Sequence, residues 1–396
     1  MCFPTMQVGE PRISFEFATA ARIVFGSGTL GEVAPAVAGL GRRALVVTGR
    51  SVDRAAALME QLESVKVAAD TFPVSGEPTL DTIRAGVEKA RVCASEVLIG
   101  FGGGSAIDAG KAIAVLLTNP GSLLDYLEVI GRGKPLTHPP LPCVAVPTTA
   151  GTGAEVTRNA VLTAPDHRVK VSLRSPLMLP RLAVVDSALT LSLPPDLTAS
   201  TGLDALTQLI EAFLCNRPNP ITDALSREGM RRAAGALRRA CRDGQDRQAR
   251  HDMALASLLG GMVLANARLG AVHGLAGPLG GMFPAPHGMI CARLLPVVMA
   301  ANVRAIERRA PESPVLERFV EVARLLAGDA AATLPAGLAW LEALVEDLGV
   351  LPLSRFGLSD HDLPAVITQA KQASSMKGNP IALEEQELTT ILRRAL

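Results

Sequence analysis

The first half of the chain alternates short aliphatic runs with stretches of helical period. Ala44-Leu45-Val46-Val47-Thr48 predicts a strand, followed by an amphipathic helix over 52–62. Val97-Leu98-Ile99-Gly100-Phe101 predicts a second buried strand that runs directly into glycines, with a helix over 106–117 beyond them. Residues 143–146 and 182–186 predict two further strands. Apolar strands separated by helices describe a mostly parallel sheet covered on both faces. From about Pro194 the texture changes to Ala- and Leu-rich sequence with a period near 3.6. Helices are predicted there over 196–215, 221–241, 252–267, 287–307, 316–327, 337–348, 360–374 and 384–396, with Asp196 as the N-cap of the first. The pattern divides the chain into an α/β domain over 1–188 and an all-α domain over 189–396.

Composition narrows the function classes. The 396 residues carry 39 Lys plus Arg against 38 Asp plus Glu, a net charge of +1, so there is no basic footprint for nucleic acid. Hydrophobic residues make up 48% and charged residues 19%, a globular balance rather than a disordered one. No apolar run reaches the roughly 18–20 residues of a spanning helix, which argues against a membrane partner. Residues 1–12, with Pro4, Glu10 and Pro11, lack the apolar core of a secretion signal, so a soluble cytoplasmic protein is the default expectation. The six cysteines are scattered without a CxxC pair and are expected to be reduced, mostly buried, small hydrophobes.

Chemistry must then come from loops and a few side chains. Gly102, Gly103, Gly104 and Ser105 join a strand to a helix, where bare glycine backbone and free helix N–H groups suit a diphosphate. Ser105 is placed to cap that helix. A second loop over 147–157 follows another buried strand and offers Thr148, Thr149 and Thr152 between glycines. Two such loops beyond strand C-termini suggest a Rossmann-like, dinucleotide-binding sheet. Further on, Asp204 and Gln208 lie four apart on one helical face, and Glu211 three beyond. His273 and His287 are fourteen apart across a Gly- and Pro-rich stretch that reads as a turn. One carboxylate and two imidazoles suit Zn²⁺ or Fe²⁺. By spacing alone the two histidines stay open between ligands and core residues.

Taken together, GGGSxxDxxK, PTTAGTGxExT, the Asp204-Ala205-Leu206 segment and Pro286-His287-Gly288 resemble the iron-containing (group III) alcohol dehydrogenase family. The resemblance runs from Arg22 to Pro380. It implies a nicotinamide-binding domain and a helical domain, with metal and substrate in the cleft between them. It also implies a reductase of aldehydes or ketones, or an alcohol dehydrogenase. Gly102–Ser105 resemble the diphosphate loop, Asp108 its acidic position, and Thr148, Thr149 and Thr152 the second cofactor loop. Asp204, His273 and His287 match three of the four metal ligands. The fourth, normally His, is Gln208, which would ligate through its amide oxygen. A family His four residues after His273 is Gly277 here.

Two more expectations rest on that resemblance. Relatives using NAD carry an Asp after the first Rossmann-like strand, whereas this chain has Gly49-Arg50-Ser51, which favours NADP over NAD. Arg158, Arg268 and Lys377 flank family motifs and would suit a small carbonyl substrate bearing a carboxylate or phosphonate. The competing readings are a maleylacetate reductase, a dehydroquinate-synthase-like lyase, and a cofactor-binding relative without catalysis. A homodimer is the expected assembly.

Overall fold

The computed structural model describes residues 14–167 and 169–396, so the expectations for residues 1–12, and for Cys2, lie outside the described residues. The strands are β1 (Ile23–Phe25), β2 (Arg43–Thr48), β3 (Ala68–Pro73), β4 (Val97–Gly102), β5 (Cys143–Pro147), β6 (Asn159–Ala164), β7 (Val169–Arg174) and β8 (Leu182–Val185). Six of them form a parallel sheet in the order β1-β8-β5-β4-β2-β3. β4 and β5 are buried along their whole length, which is why their sequence runs apolar without alternation. β3, at the sheet edge, mixes exposed and half-buried residues and gives no such run, and β1 is three residues long. Neither stands out in the sequence. β6 and β7 form a separate antiparallel hairpin.

Helices α1 (Val33–Ala38), α2 (Ala56–Ser64), α3 (Leu80–Val92), α4 (Gly104–Thr118) and α5 (Leu123–Tyr126) accompany the strands. The period of two along β2 feeds two cores. Leu45 and Val47 pack with Ile83, Val87 and Ile113 on one face, and Ala44 and Val46 pack with Val33, Leu58 and Leu62 on the other. The chain leaves β2 toward β3 on one side and returns to β4 on the other. The strand order therefore reverses between β2 and β4, and their C-terminal ends open a crevice.

The second half is helical, with no strand after Val185 among the described residues. It comprises α6 (Pro195–Leu214), α7 (Pro220–Arg242), α8 (Arg247–Asn266), α9 (Ala271–Met282), α10 (His287–Arg309), α11 (Val315–Ala327), α12 (Leu334–Asp347), α13 (Leu363–Gln372) and α14 (Glu385–Ala395). Two local expectations are corrected. Pro194 occupies the N-cap of α6, so Asp196 sits inside the first turn and faces the positive helix end without capping it. The stretch read as a turn between the two histidines is mostly α9. Its Val272, Leu275, Ala276 and Leu279 follow helical spacing and are buried, and this apolar stripe outweighs four glycines and Pro278. α10 is long and apolar enough to cross a membrane, yet 83% of its most apolar window is buried inside the protein. It is a core helix, packed against α6, α9 and α14.

Candidate active site

Three loops meet at the crevice. The backbone N–H of Thr148 donates to the carbonyl of Gly102 (2.8 Å), which ties the loop after β5 to the one after β4. The contact leaves no room for side chains. A Cβ on Gly104 would lie 2.6 Å from Thr152 Oγ1, one on Gly103 would meet Thr149 at 3.4 Å, and one on Gly102 would meet the Gly49 nitrogen at 3.2 Å. Gly49, Gly102–Gly104, Thr149 and Thr152 thus line one narrow wall. Gly103 is the N-cap of α4 and makes no side-chain cap bond, so Ser105 falls within the first turn rather than at the cap. The helix end is left with free N–H groups and a positive dipole end pointed at the crevice. Gly153, at φ 62°, turns the second loop so tightly that its backbone abuts Gly261 of α8.

The second cluster is built from three helices. Asp204, Gln208 and Glu211 project from one face of α6, His273 from the first turn of α9, and His287 and Cys291 from the first turns of α10, four residues apart. Ligand atoms of Asp204, His273, His287 and Cys291 all lie within 4.8 Å of one another. Asp204 Oδ1 is 3.3 Å from His273 Nε2 and 3.8 Å from His287 Nε2. Cys291 Sγ is 3.6 Å from His287 Nε2. Asp204 Oδ1 and His273 Nε2 are buried and make no hydrogen bond. Leaving such atoms unpaired costs about 1–3 kcal/mol each, so their convergence fits a cation they would share.

Glu211 explains the orientation of His273. It is 1% exposed, and its Oε2 accepts from His273 Nδ1 at 2.6 Å. Its two oxygens also accept the backbone N–H groups of Val272 (2.7 Å) and His273 (3.3 Å), while Asn379 Oδ1 takes that of Ala271. One buried carboxylate therefore caps α9 and fixes the His273 proton on Nδ1, leaving Nε2 as a lone pair toward Asp204. Sequence spacing placed Glu211 on the right face, but only the packing of α9 against α6 discloses its partner.

The charges in the cluster favour one another. Burial alone would push the Asp204 carboxyl up, yet the neighbouring His273 and His287 hold it below its ordinary value. Burial would push His273 down, but Cys291, Asp204 and Glu211 raise it well above the usual imidazole range. Cys291 chiefly, against burial, raises His287. The Cys291 thiol is pushed up by burial and pulled lower overall by the two imidazoles.

Residues 20–187 match the family described as Iron-containing alcohol dehydrogenase, and residues 198–396 match its C-terminal part, Fe-containing alcohol dehydrogenase family, C-terminal. The chain belongs to the iron-containing alcohol dehydrogenase family. It is 33% identical over 387 residues to a choline dehydrogenase of Bacillus subtilis (strain 168), covering 96% of this chain and 94% of that one. The crystal structure of a 1,3-propanediol oxidoreductase superposes with a TM-score of 0.89 at 34% identity, covering 97% of this chain and all of that one (100%). That of the sulfoacetaldehyde reductase from Bifidobacterium kashiwanohense, in complex with NAD⁺, gives 0.84 at 27% identity, covering 96% and 98%. The chain is accordingly an oxidoreductase of alcohols or aldehydes linked to a nicotinamide cofactor.

Within this alcohol dehydrogenase frame, the other expected site residues divide. Gln208 reaches the cluster, but its Nε2 donates to Asp204 Oδ2 at 3.2 Å while its Oε1 lies beside Gly260. The amide oxygen expected to ligate is buried and makes no hydrogen bond. Asp108 is committed elsewhere: its carboxylate pairs with buried Lys111 (2.9 Å) and accepts the Val161 N–H (3.0 Å), bracing the β6–β7 hairpin. Lys111 in turn donates to Ala154 and Asn159 carbonyls and to Thr157, fixing the loop after β5 from behind. Arg50 and Ser51 are exposed at the end of β2. Arg158 Nη1 lies 3.8 Å from Glu16. Arg268 donates weakly to the Lys377 carbonyl (3.4 Å) and makes no ion pair among the described residues, and Lys377 is exposed. At Gly277 a Cβ would meet nothing within 4 Å, so the space of the missing imidazole is open.

Proposed function

We propose that this chain is a metal-dependent reductase of small aldehydes or ketones, with Asp204, His273 and His287 as metal ligands. The loops after β2, β4 and β5 form its cofactor cradle. The reading is carried by the two buried, unpartnered atoms Asp204 Oδ1 and His273 Nε2, which face each other inside the donor cluster. When bound, Fe²⁺ or Zn²⁺ polarises the substrate carbonyl as a Lewis acid and the nicotinamide supplies the hydride. Glu211 keeps the His273 proton on Nδ1, and Gln208 holds Asp204 by Oδ2 so that Oδ1 stays free. His287, whose side chain is 34% exposed, marks the open side through which substrate and the proton-donating water enter.

On the cofactor side, the uncapped start of α4 and the bare backbone of Gly102, Gly103 and Gly104 receive the diphosphate, with Ser105 in the first turn. Thr148, Thr149 and Thr152 supply hydroxyls along the facing loop. Gly49 leaves room for the adenosine ribose, and Arg50, which makes no ion pair among the described residues, together with Ser51 favours the 2′-phosphate of NADPH over NADH. The named substrates of the relatives span a cation (choline), a neutral diol and an anion (sulfoacetaldehyde), so family membership leaves substrate charge to local residues. The unpaired Arg268, with Arg158 and Lys377, favours an aldehyde or ketone bearing a carboxylate or phosphonate. This reading places the domain division at 188/189, between the end of β8 and the start of α6, and takes a homodimer as the assembly.

The test is a panel of neutral and anionic aldehydes and ketones with NADPH or NADH, run on protein of measured metal content. The expected outcome is NADPH oxidation that falls away with a chelator and returns with Zn²⁺ or Fe²⁺, with lower KM for anionic members. Turnover untouched by complete metal removal would overturn the assignment.

A further inference from the structure

We propose that Cys291 is the fourth protein ligand of the metal centre, filling as a thiolate the coordination position that Gln208 does not supply. The inference rests on the metal-dependent reading above and concerns which of this chain's residues complete the ligand set.

The carboxamide of Gln208 is oriented by its neighbour. A carboxylate only accepts hydrogen bonds, so the group facing Asp204 Oδ2 at 3.2 Å must be the Gln208 N–H. That requirement turns Oε1 toward α8, where a Cβ on Gly260 would lie 3.1 Å from it, and leaves it buried without a partner. Gln208 thus steadies Asp204 through its N–H, and among the described residues no hydrogen bond or ion pair brings its oxygen lone pair to the other donors.

Cys291 does present a lone pair to the shared space. It lies one helical turn beyond His287 on α10, is fully buried, and its sulfur shares the space with the other three donors. Three of the six donor separations lie close to those of a tetrahedral centre, and all six lie within 4.8 Å. With metal–N and metal–O bonds of about 2.0–2.1 Å and metal–S of about 2.3 Å, ligand atoms stand roughly 3.3–3.6 Å apart. The observed separations are 3.3 Å for Asp204 Oδ1 to His273 Nε2, 3.8 Å for Asp204 Oδ1 to His287 Nε2, and 3.6 Å for Cys291 Sγ to His287 Nε2. A soft thiolate also shifts the preference toward Zn²⁺ and away from harder cations. Ligation replaces the S–H bond by a metal–S bond and releases that proton to solvent.

The experiment loads the metal-free full chain with Co²⁺, whose bonds to sulfur are visible by absorption. A thiolate-to-cobalt charge-transfer band in the near ultraviolet is expected in the wild type and in Gln208→Ala. The same band is lost in Cys291→Ser, which still binds Co²⁺, with folding of each variant checked by its melting temperature. Stoichiometric Co²⁺ binding without the band, or a band that survives Cys291→Ser, would overturn the thiolate ligand and leave the metal-dependent reading standing. Failure of the wild type to bind Co²⁺, Zn²⁺ or Fe²⁺ at all would instead overturn that reading, and this one with it.

Discussion

Glu211 joins two tasks in one side chain, and its removal separates them from the ligands themselves. Its carboxylate caps α9 and holds His273 Nδ1, so Glu211→Gln keeps the size of the group but weakens the acceptor and the charge at the helix end. Metal affinity is expected to fall about 10–100-fold, as for other carboxylates that hold a ligating imidazole. Competition against a chelator of known affinity checks this, and unchanged affinity would remove Glu211 from the positioning role. At this scale the sequence was informative but incomplete. Asp204, His273 and His287 were legible because the family motifs enclose them. Cys291 was not, since a single buried Cys in an apolar helix carries no signal until its neighbours in space are known.

The strand–loop–helix units show a different balance. β2, β4, β5 and β8 were legible because continuous apolar runs mark strands buried on both faces, while edge strand β3 and short β1 lack that mark. α9 was hidden by its glycines, although its apolar stripe was present. The glycine loop after β4 is explained by contact as much as by ligand, because Thr152 fills the space a side chain at Gly104 would need. Gly104→Val should therefore displace the second loop, cost about 1–3 kcal/mol through overpacking, and weaken nicotinamide binding by about tenfold. Cofactor titration by fluorescence, together with a thermal melt, reads both effects. Equal cofactor affinity in the variant would show that the two loops need not abut for binding.

At the scale of the whole molecule, a buried carboxyl couples stability to pH. Glu155 in the second loop is 2% exposed, and burial pushes its carboxyl up to about 7. Its folded-state value thus exceeds its ordinary value of 4.5, so the protonated form is favoured on folding and the contribution is greatest below about 4.5. Stability should decline by about 3 kcal/mol as pH rises from about 4.5 to about 7, and Glu155→Gln should flatten that slope. Urea unfolding across this range measures it, and an unchanged slope in the variant would assign the pH dependence to other groups.

The sequence by itself determined that a parallel α/β half precedes a helical half, because the apolar periods of two and 3.6 are local properties of the chain. It also marked the glycine and threonine loops of the crevice and three side chains of the donor cluster, through motifs contiguous enough to read. The tertiary structure alone decided which atoms share the site. Asp204, Glu211, His273 and Cys291 come from three helices separated by many residues, and hydrogen bonding chooses which oxygen, nitrogen or sulfur each one turns inward. That choice set Gln208 to steady Asp204, committed Asp108 to the hairpin, and brought the Cys291 sulfur beside the imidazoles.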